Sequence, residues 1–306
     1  MSLRIRLALI ASVATAAIIV IGGCGKQQTT APLGSERNPI KMALVPSLDT
    51  QKLVKDGRRL AALMERETGL KYELSVPISY AAVVSAMGTE KVDVGWLSPL
   101  PYVIAHDQYQ VKVILTTVRD NSTKYWSAII VRTDSGITKL EDLEGKRFAY
   151  GDPVSTSGCL YAKDLIRSKG YDPIKFFSNV IYAGAHDRVV MAVYNRQVDG
   201  GAIYGGPKSD AREKVINTYP DVLEKTRVIA RSADIPNDTV SVRKDLPAGI
   251  TRKVADALVK IARSEAGRKV LLDVYGIDGF VPAKDSDYDS VRRVARAEKI
   301  KLENVK

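Results

Sequence analysis

From Ile40 onward the apolar positions follow two alternating rhythms. The short runs Ile40 to Val45, Lys71 to Val76 and Val92 to Leu97 read as strands. Between the first two, Gln51 to Thr68 repeats its apolar residues at helical spacing and stops at Gly69, a natural left-handed cap. Ser79 caps a second expected helix that runs through Met87 and ends at Gly88. The pattern resumes with strands at Arg147 to Tyr150 and Val180 to Ala183, and helices near Leu160 to Ser168 and Arg188 to Arg196. It closes with a strand at Thr239 to Arg243 and helices at Ala248 to Ser264, Gly267 to Tyr275 and about Tyr288 to Ala297. Strands alternating with helices imply an α/β protein with parallel crossovers.

The two halves echo one another. Ser85-Ala86-Met87, four residues and Val92-Asp93-Val94-Gly95 are matched by Met191-Ala192-Val193, four residues and Val198-Asp199-Gly200-Gly201. Two similar lobes are expected, the first from residues 39–131 plus 237–306 and the second from 132–236. The chain then crosses a hinge twice, near Val131 to Ser135 and near Pro236 to Asp238. Clefts between such lobes are where small ligands bind.

The segment before Ile40 is different. Arg4 and Arg6 precede an apolar run from Leu7 to Ile21, which is short of the roughly 20 residues a membrane span needs. Ile21-Gly22-Gly23-Cys24 resembles the lipobox of bacterial lipoproteins, which implies a leader over 1–23, lipidation of Cys24 and anchoring at the membrane outside the cytoplasm. Residues 24–38, rich in Gln, Thr, Ser and Pro, read as a flexible tether. Lipidation leaves Cys159 as the one free thiol of the chain's two cysteines, so stability has to come from the core.

The chain of 306 residues carries a formal charge of +11, which becomes +9 without the two leader arginines. A positive field draws small anions inward. No basic run interleaved with aromatics is present, which excludes the nucleic-acid reading. Two histidines far apart and no cysteine pair give no reason to expect a metal site or a cofactor. A monomer is expected.

The sharpest chemistry lies at Gly151-Asp152-Pro153-Val154-Ser155-Thr156-Ser157-Gly158, between a strand and a helix. Three consecutive hydroxyls beside the unpaired N–H groups of a helix start make an anion cradle, although serine and threonine also cap helices with no ligand present. The Gly-x-x-x-x-Gly-Lys pattern of nucleotide-binding phosphate loops is absent. His186 stands at a second expected helix start, where a protonated imidazole would neutralise an anion. Cys159 follows the hydroxyls directly; it reads as a small apolar residue, or as a thiol facing a soft ligand such as arsenite.

From about Ile40 to Ala297 the chain resembles the phosphate/phosphite/phosphonate-binding proteins of ABC importers, the PhnD-like family. The resemblance is carried by residues 79–87, Val92-Asp93-Val94-Gly95-Trp96, Lys124-Tyr125-Trp126-Ser127, Asp134-Ser135-Gly136-Ile137, residues 152–158, Ala185-His186-Asp187 and Ile235-Pro236-Asn237-Asp238, in that order. It implies the two-lobed periplasmic-binding fold of type II, an ABC permease with its ATPase as partner, and a small phosphorus oxyanion as ligand. It also implies ligand contacts from Tyr80, Tyr125, Ser155, Thr156, Ser157, His186 and Asp238. Asp238 would accept from a protonated P–OH or restrain a donor, which disfavours sulfate. Family members that take aminoalkyl phosphonates place a carboxylate twenty residues beyond the histidine, where this chain has Gly206. Tyr204 would close that end instead, favouring phosphite or methylphosphonate. Trp96, Tyr102 and Trp126 read as core or as cleft lining. The rival readings are an oxyanion sensor partnering a kinase and, more remotely, a serine hydrolase built on Ser155, His186 and Asp238, for which no Gly-x-Ser-x-Gly elbow is present.

Overall fold

The computed structural model describes residues 31–300, so the expected leader and the expected lipidation site Cys24 lie outside the described residues. In chain order its elements are β1 (Ile40–Leu44), α1 (Thr50–Thr68), β2 (Tyr72–Ser75), α2 (Tyr80–Gly88), β3 (Val94–Leu97), α3 (Pro99–Tyr109), β4 (Lys112–Val118) and β5 (Lys124–Arg132). There follow β6 (Arg147–Tyr150), α4 (Tyr161–Ser168), β7 (Asn179–Tyr182), α5 (His186–Tyr194), β8 (Gly200–Gly205), α6 (Val222–Lys225) and β9 (Thr226–Arg231). The last are β10 (Ile235–Pro236), β11 (Thr239–Val242), α7 (Ala248–Arg263), α8 (Glu265–Tyr275), β12 (Gly279–Pro282) and α9 (Asp289–Ala297).

Two sheets result. The first runs β12-β4-β11-β3-β1-β2 and the second β10-β5-β8-β6-β7, with β9 pairing the far part of β5. Both are mixed. β1 lies parallel to β2 and β3, and β6 parallel to β7 and β8, while β11 and β5 run against their neighbours. Each sheet has apolar clusters packed on both faces, so its strands are buried from two sides. The chain is thus a two-lobed α/β protein of the type II binding-protein architecture.

α1 shows how the sequence dictates such an element. The Asp49 carboxylate accepts the Lys52 N–H at 2.8 Å, the helix stops at Gly69 with φ 69°, and Leu53, Leu60 and Met64 face the first sheet. Burying each of these three side chains contributes about 1.5–3 kcal/mol as an upper figure.

Two boundaries differ from expectation. The end of the tether is structured: Gly34 N–H donates to the Asn38 carbonyl, and the Gly34 carbonyl accepts the Lys71 N–H. More important, β5 belongs wholly to the second sheet, so the chain first changes sheets between Val118 and Lys124 and not at 131–135. The apolar run Ser127 to Val131 is held there by β8 and β9, strands that come much later in the sequence. The return passage lies between Pro236 and Thr239.

β1, β3 and β4 point the same way in their sheet, as do β6, β7 and β8 in theirs. Their carboxyl ends are where an α/β sheet places its ligand crevice. No helix among the described residues is long and apolar enough to cross a membrane.

Candidate functional site

Loops from those carboxyl ends meet around one small cavity of ≈ 30 Å³. From the first sheet come Ser47 after β1, Ser98 after β3 and Arg119 after β4; from the second come Ser155 and Ser157 after β6, His186 after β7 and Tyr204 near the end of β8. Tyr80, Tyr125, Asp238 and Tyr275 complete its polar wall, with Val45 and Leu48 as the apolar lining.

The two lobes meet by capping each other's helices. The first N–H groups of a helix have no partner inside it. Here the Asp152 carboxylate accepts the Tyr80 N–H at the start of α2 (3.4 Å), and the Thr156 hydroxyl accepts the Leu100 N–H at the start of α3 (2.8 Å). In the other direction the Ser47 carbonyl accepts the His186 N–H at the start of α5 (3.0 Å). A fourth link is the Arg167–Glu298 ion pair, with contacts of 2.5 and 3.0 Å. Each of these bonds joins one lobe to the other.

The hydroxyl triplet divides its work. Ser155 caps the π-type turn Thr156–Leu160 by accepting the Gly158 N–H at 3.1 Å, and it keeps its own hydroxyl proton for the cavity it lines. Thr156 is not among the lining residues; its oxygen accepts across the lobes, and like Ser157 it favours the ionised form of the Tyr125 phenol, against burial. Ser157 lines the cavity. Position 158 has to be glycine, because a Cβ there would meet Ser155 Oγ at 2.9 Å and His186 Cε1 at 3.0 Å.

His186 is the first residue of α5, where it was expected, but in the other charge state. Burial, and then the Arg119 charge, hold its imidazole down at about 3, so it is neutral at physiological pH. It stands edge-on to Tyr204 with ring centroids 5.1 Å apart. Burial first, then nearby carboxylates, pushes the Tyr80 and Tyr125 phenols well above their ordinary value, which keeps them protonated donors.

Arg119 is the residue that the sequence reading missed. Its Nη2 donates to Asp238 Oδ2 at 2.5 Å, and although burial works against its charge, Asp238 together with the Tyr204 and Tyr125 phenols more than offsets that and holds the guanidinium protonated. The available signal was a charged residue ending the apolar strand Lys112–Val118, on the edge where the ligand loops lie. Three buried polar atoms of the cavity wall have no protein partner among the described residues: Ser98 Oγ, Arg119 Nε and His186 Nδ1.

The remaining expectations sort cleanly. Tyr204 lines the cavity, but Gly206 does not: β8 ends at Gly205, and Gly206 N–H donates to the Ser209 carbonyl in a turn on a separate groove. Trp96 packs in the core against Tyr275 and Phe280, Tyr102 is buried with its hydroxyl on Asp285, and Trp126 faces that groove. Cys159 is buried behind the turn, where burial pushes its thiol up to about 11. No cluster of three or more His, Cys, Asp or Glu suited to a metal occurs among the described residues.

Two α/β lobes joined by two crossing segments, closed on a buried polar cavity at the strand ends, define the class of two-lobed solute-binding proteins. A family model described as the periplasmic substrate-binding protein of a phosphonate ABC transporter matches residues 42–288, and the chain belongs to that family. The phosphonates-binding periplasmic protein of Escherichia coli (strain K12) is 31% identical over 237 residues, covering 76% of this chain and 68% of that one. The phosphate-import protein PhnD of Mycolicibacterium smegmatis is 28% identical over 288 residues, 89% of each chain. The crystal structure of a binding-protein component of a phosphonate ABC transporter from Pseudomonas aeruginosa superposes with a TM-score of 0.78 at 26% identity, covering 85% of this chain and 87% of that one.

Proposed function

We propose that this chain captures a compact phosphorus oxyanion, phosphite or methylphosphonate in particular, between its lobes and delivers it to an ABC permease with its ATPase. The observation that carries the reading is the set of buried groups without protein partners, Ser98 Oγ, Arg119 Nε and His186 Nδ1, converging with the Ser155 and Ser157 hydroxyls on one small cavity. Buried polar groups are as a rule hydrogen-bonded, and a tetrahedral oxyanion offers acceptors in all these directions. The names of relatives, phosphonates-binding in one case and phosphate-import in another, support the same class.

Compactness is supported by the cavity wall. Its one carboxylate, Asp238, is committed to Arg119, so an ammonium group entering here sheds water and gains no free charged partner. The same ion pair speaks against hydrolysis, because Asp238 orients Arg119 and not His186. Calorimetry with phosphite, methylphosphonate, 2-aminoethylphosphonate, phosphate, sulfate and arsenite tests the proposal. Phosphite or methylphosphonate should bind tightest. Binding of none of the phosphorus compounds overturns the function, and a preference of about tenfold or more for 2-aminoethylphosphonate overturns the compact-ligand reading.

Anchoring through lipidated Cys24 is part of the same proposal, supported by the lipobox-like Ile21-Gly22-Gly23-Cys24. Cys24→Ser should abolish lipid labelling and release the protein from the membrane. Unchanged labelling of that variant removes the anchor.

A further inference from the structure

Arg119 and Asp238 stand apart from the other cavity residues in origin. They sit on the two segments that join the lobes, Arg119 just after β4 and Asp238 just before β11. Besides their mutual bond, Asp238 is fixed through its backbone, whose carbonyl accepts the Thr117 N–H at 2.9 Å, two residues from Arg119. The neighbouring Asn237 side chain donates to the Thr117 and Ser122 carbonyls. The pair therefore forms one unit across both crossings, with Arg119 Nε buried at the cavity and lacking a protein partner.

A lone carboxylate in such a cavity repels an anion and admits it only when the ligand brings a proton to share. Here the carboxylate charge is already compensated within the protein. We infer that Arg119 is the charged contact to the ligand, and that its pairing with Asp238 lets the site take the fully deprotonated oxyanion with no ligand proton required. The inference rests on the proposed phosphorus-oxyanion reading of the cavity. Its corollary is that unprotonated sulfate competes for the site rather than being refused.

The charged and titratable groups around Arg119 are Asp238, Tyr125, Tyr204, Tyr275, His186 and Lys214. His186 is already neutral above about 3, and burial raises the three phenols, so between pH 6 and 9 the imidazole and the phenols each keep one charge state. Phosphonates lose their second proton near neutrality, within that window. A Lys214→Gln background removes any contribution from the nearby ammonium.

The test is calorimetry of methylphosphonate on the purified full chain at about pH 6 and about pH 9. The expected result is a wild-type affinity that weakens by less than about threefold, with Arg119→Gln losing at least about tenfold more affinity at the higher pH than at the lower. A wild-type loss greater than that threefold overturns the inference, because the bound form is then the monoanion and Asp238 takes its proton. Asp238→Asn supplies a second arm independent of the arginine variant. With Arg119 released, sulfate should bind about tenfold tighter or more, and unchanged sulfate affinity counts against the inference. A protein that binds neither methylphosphonate, phosphite nor phosphate at either pH refutes the proposed function itself, a result distinct from a steep pH dependence.

Discussion

The cavity between the lobes and the groove beside Gly206 make an instructive pair. The groove is the larger by far, ≈ 580 Å³ against ≈ 30 Å³, and is lined by Trp126, Pro207, Lys208, Leu223, Val228 and Arg231 among others. None of its lining residues has a buried side-chain polar atom left without a hydrogen-bond partner. Asp210 holds Arg212, Asp120 accepts the Lys208 N–H, and the Arg231 guanidinium lies 4.4 Å from the Trp126 ring centroid. The cavity is small, yet it gathers buried groups with nothing in the protein to bond. Unspent hydrogen-bonding capacity, more than volume, marks a site for a small anion.

The largest expected effect separates the two regions directly. Ser157→Ala removes a hydroxyl from the cavity wall and should weaken oxyanion binding about 10- to 150-fold, the worth of one hydrogen bond to a charged group, with little change in melting temperature. Calorimetry alongside a thermal melt reads both quantities, and undiminished affinity would place the ligand elsewhere. Ser155→Ala should lower affinity and stability together, because Ser155 also caps the turn.

Thr156→Val comes next and sharpens the division within the triplet. It deprives the Leu100 N–H of its acceptor across the lobes while changing no residue that lines the cavity. A net hydrogen bond of about 0.5–1.5 kcal/mol then costs roughly 2- to 12-fold in affinity, by making closure harder. Small-angle scattering should show a larger open fraction in the unliganded variant. A loss as large as that of Ser157→Ala, with no change in scattering, would return Thr156 to the ligand.

The smallest effect is expected in the groove. Gly206→Glu should leave the ratio of methylphosphonate to 2-aminoethylphosphonate affinity within about twofold of wild type, because the new carboxylate lies outside the cavity. Its Cβ would meet the Ser209 carbonyl at 3.2 Å and Asp120 at 3.3 Å, so a slight drop in melting temperature is the measurable consequence. A reversal of ligand preference would show that the groove and the cavity communicate.

The contrast also explains what the sequence disclosed. The hydroxyl triplet and His186 were legible because they sit at junctions of strand and helix, where local pattern fixes both the element and the exposed N–H groups. The class of fold was legible for the same reason, since alternating periods are local. Arg119 was not: among 46 lysines and arginines, its place just after the apolar run Lys112–Val118 is a weak cue, and its pairing with Asp238 joins residues 119 positions apart. The first lobe crossing failed likewise, because β5 reads as a strand in either sheet and only β8 and β9 decide which. Counting twenty residues from His186 to Gly206 ignored the turn at the end of β8, which carries the backbone out of the cavity.

The final helix reaches past its own lobe. Glu298, just beyond α9, keeps only 4% of its side chain exposed while it grips Arg167 of the opposite lobe. The end of α9 is therefore tied to the second lobe, and separating the lobes at this point has to break that ion pair. In protein engineering this makes position 299 a vantage point: an environment-sensitive dye attached there would convert ligand capture into an optical signal. A bulky fusion at the same place would load the joint and bias the readout, so affinity handles belong on the exposed loops of the second lobe, away from the clasp.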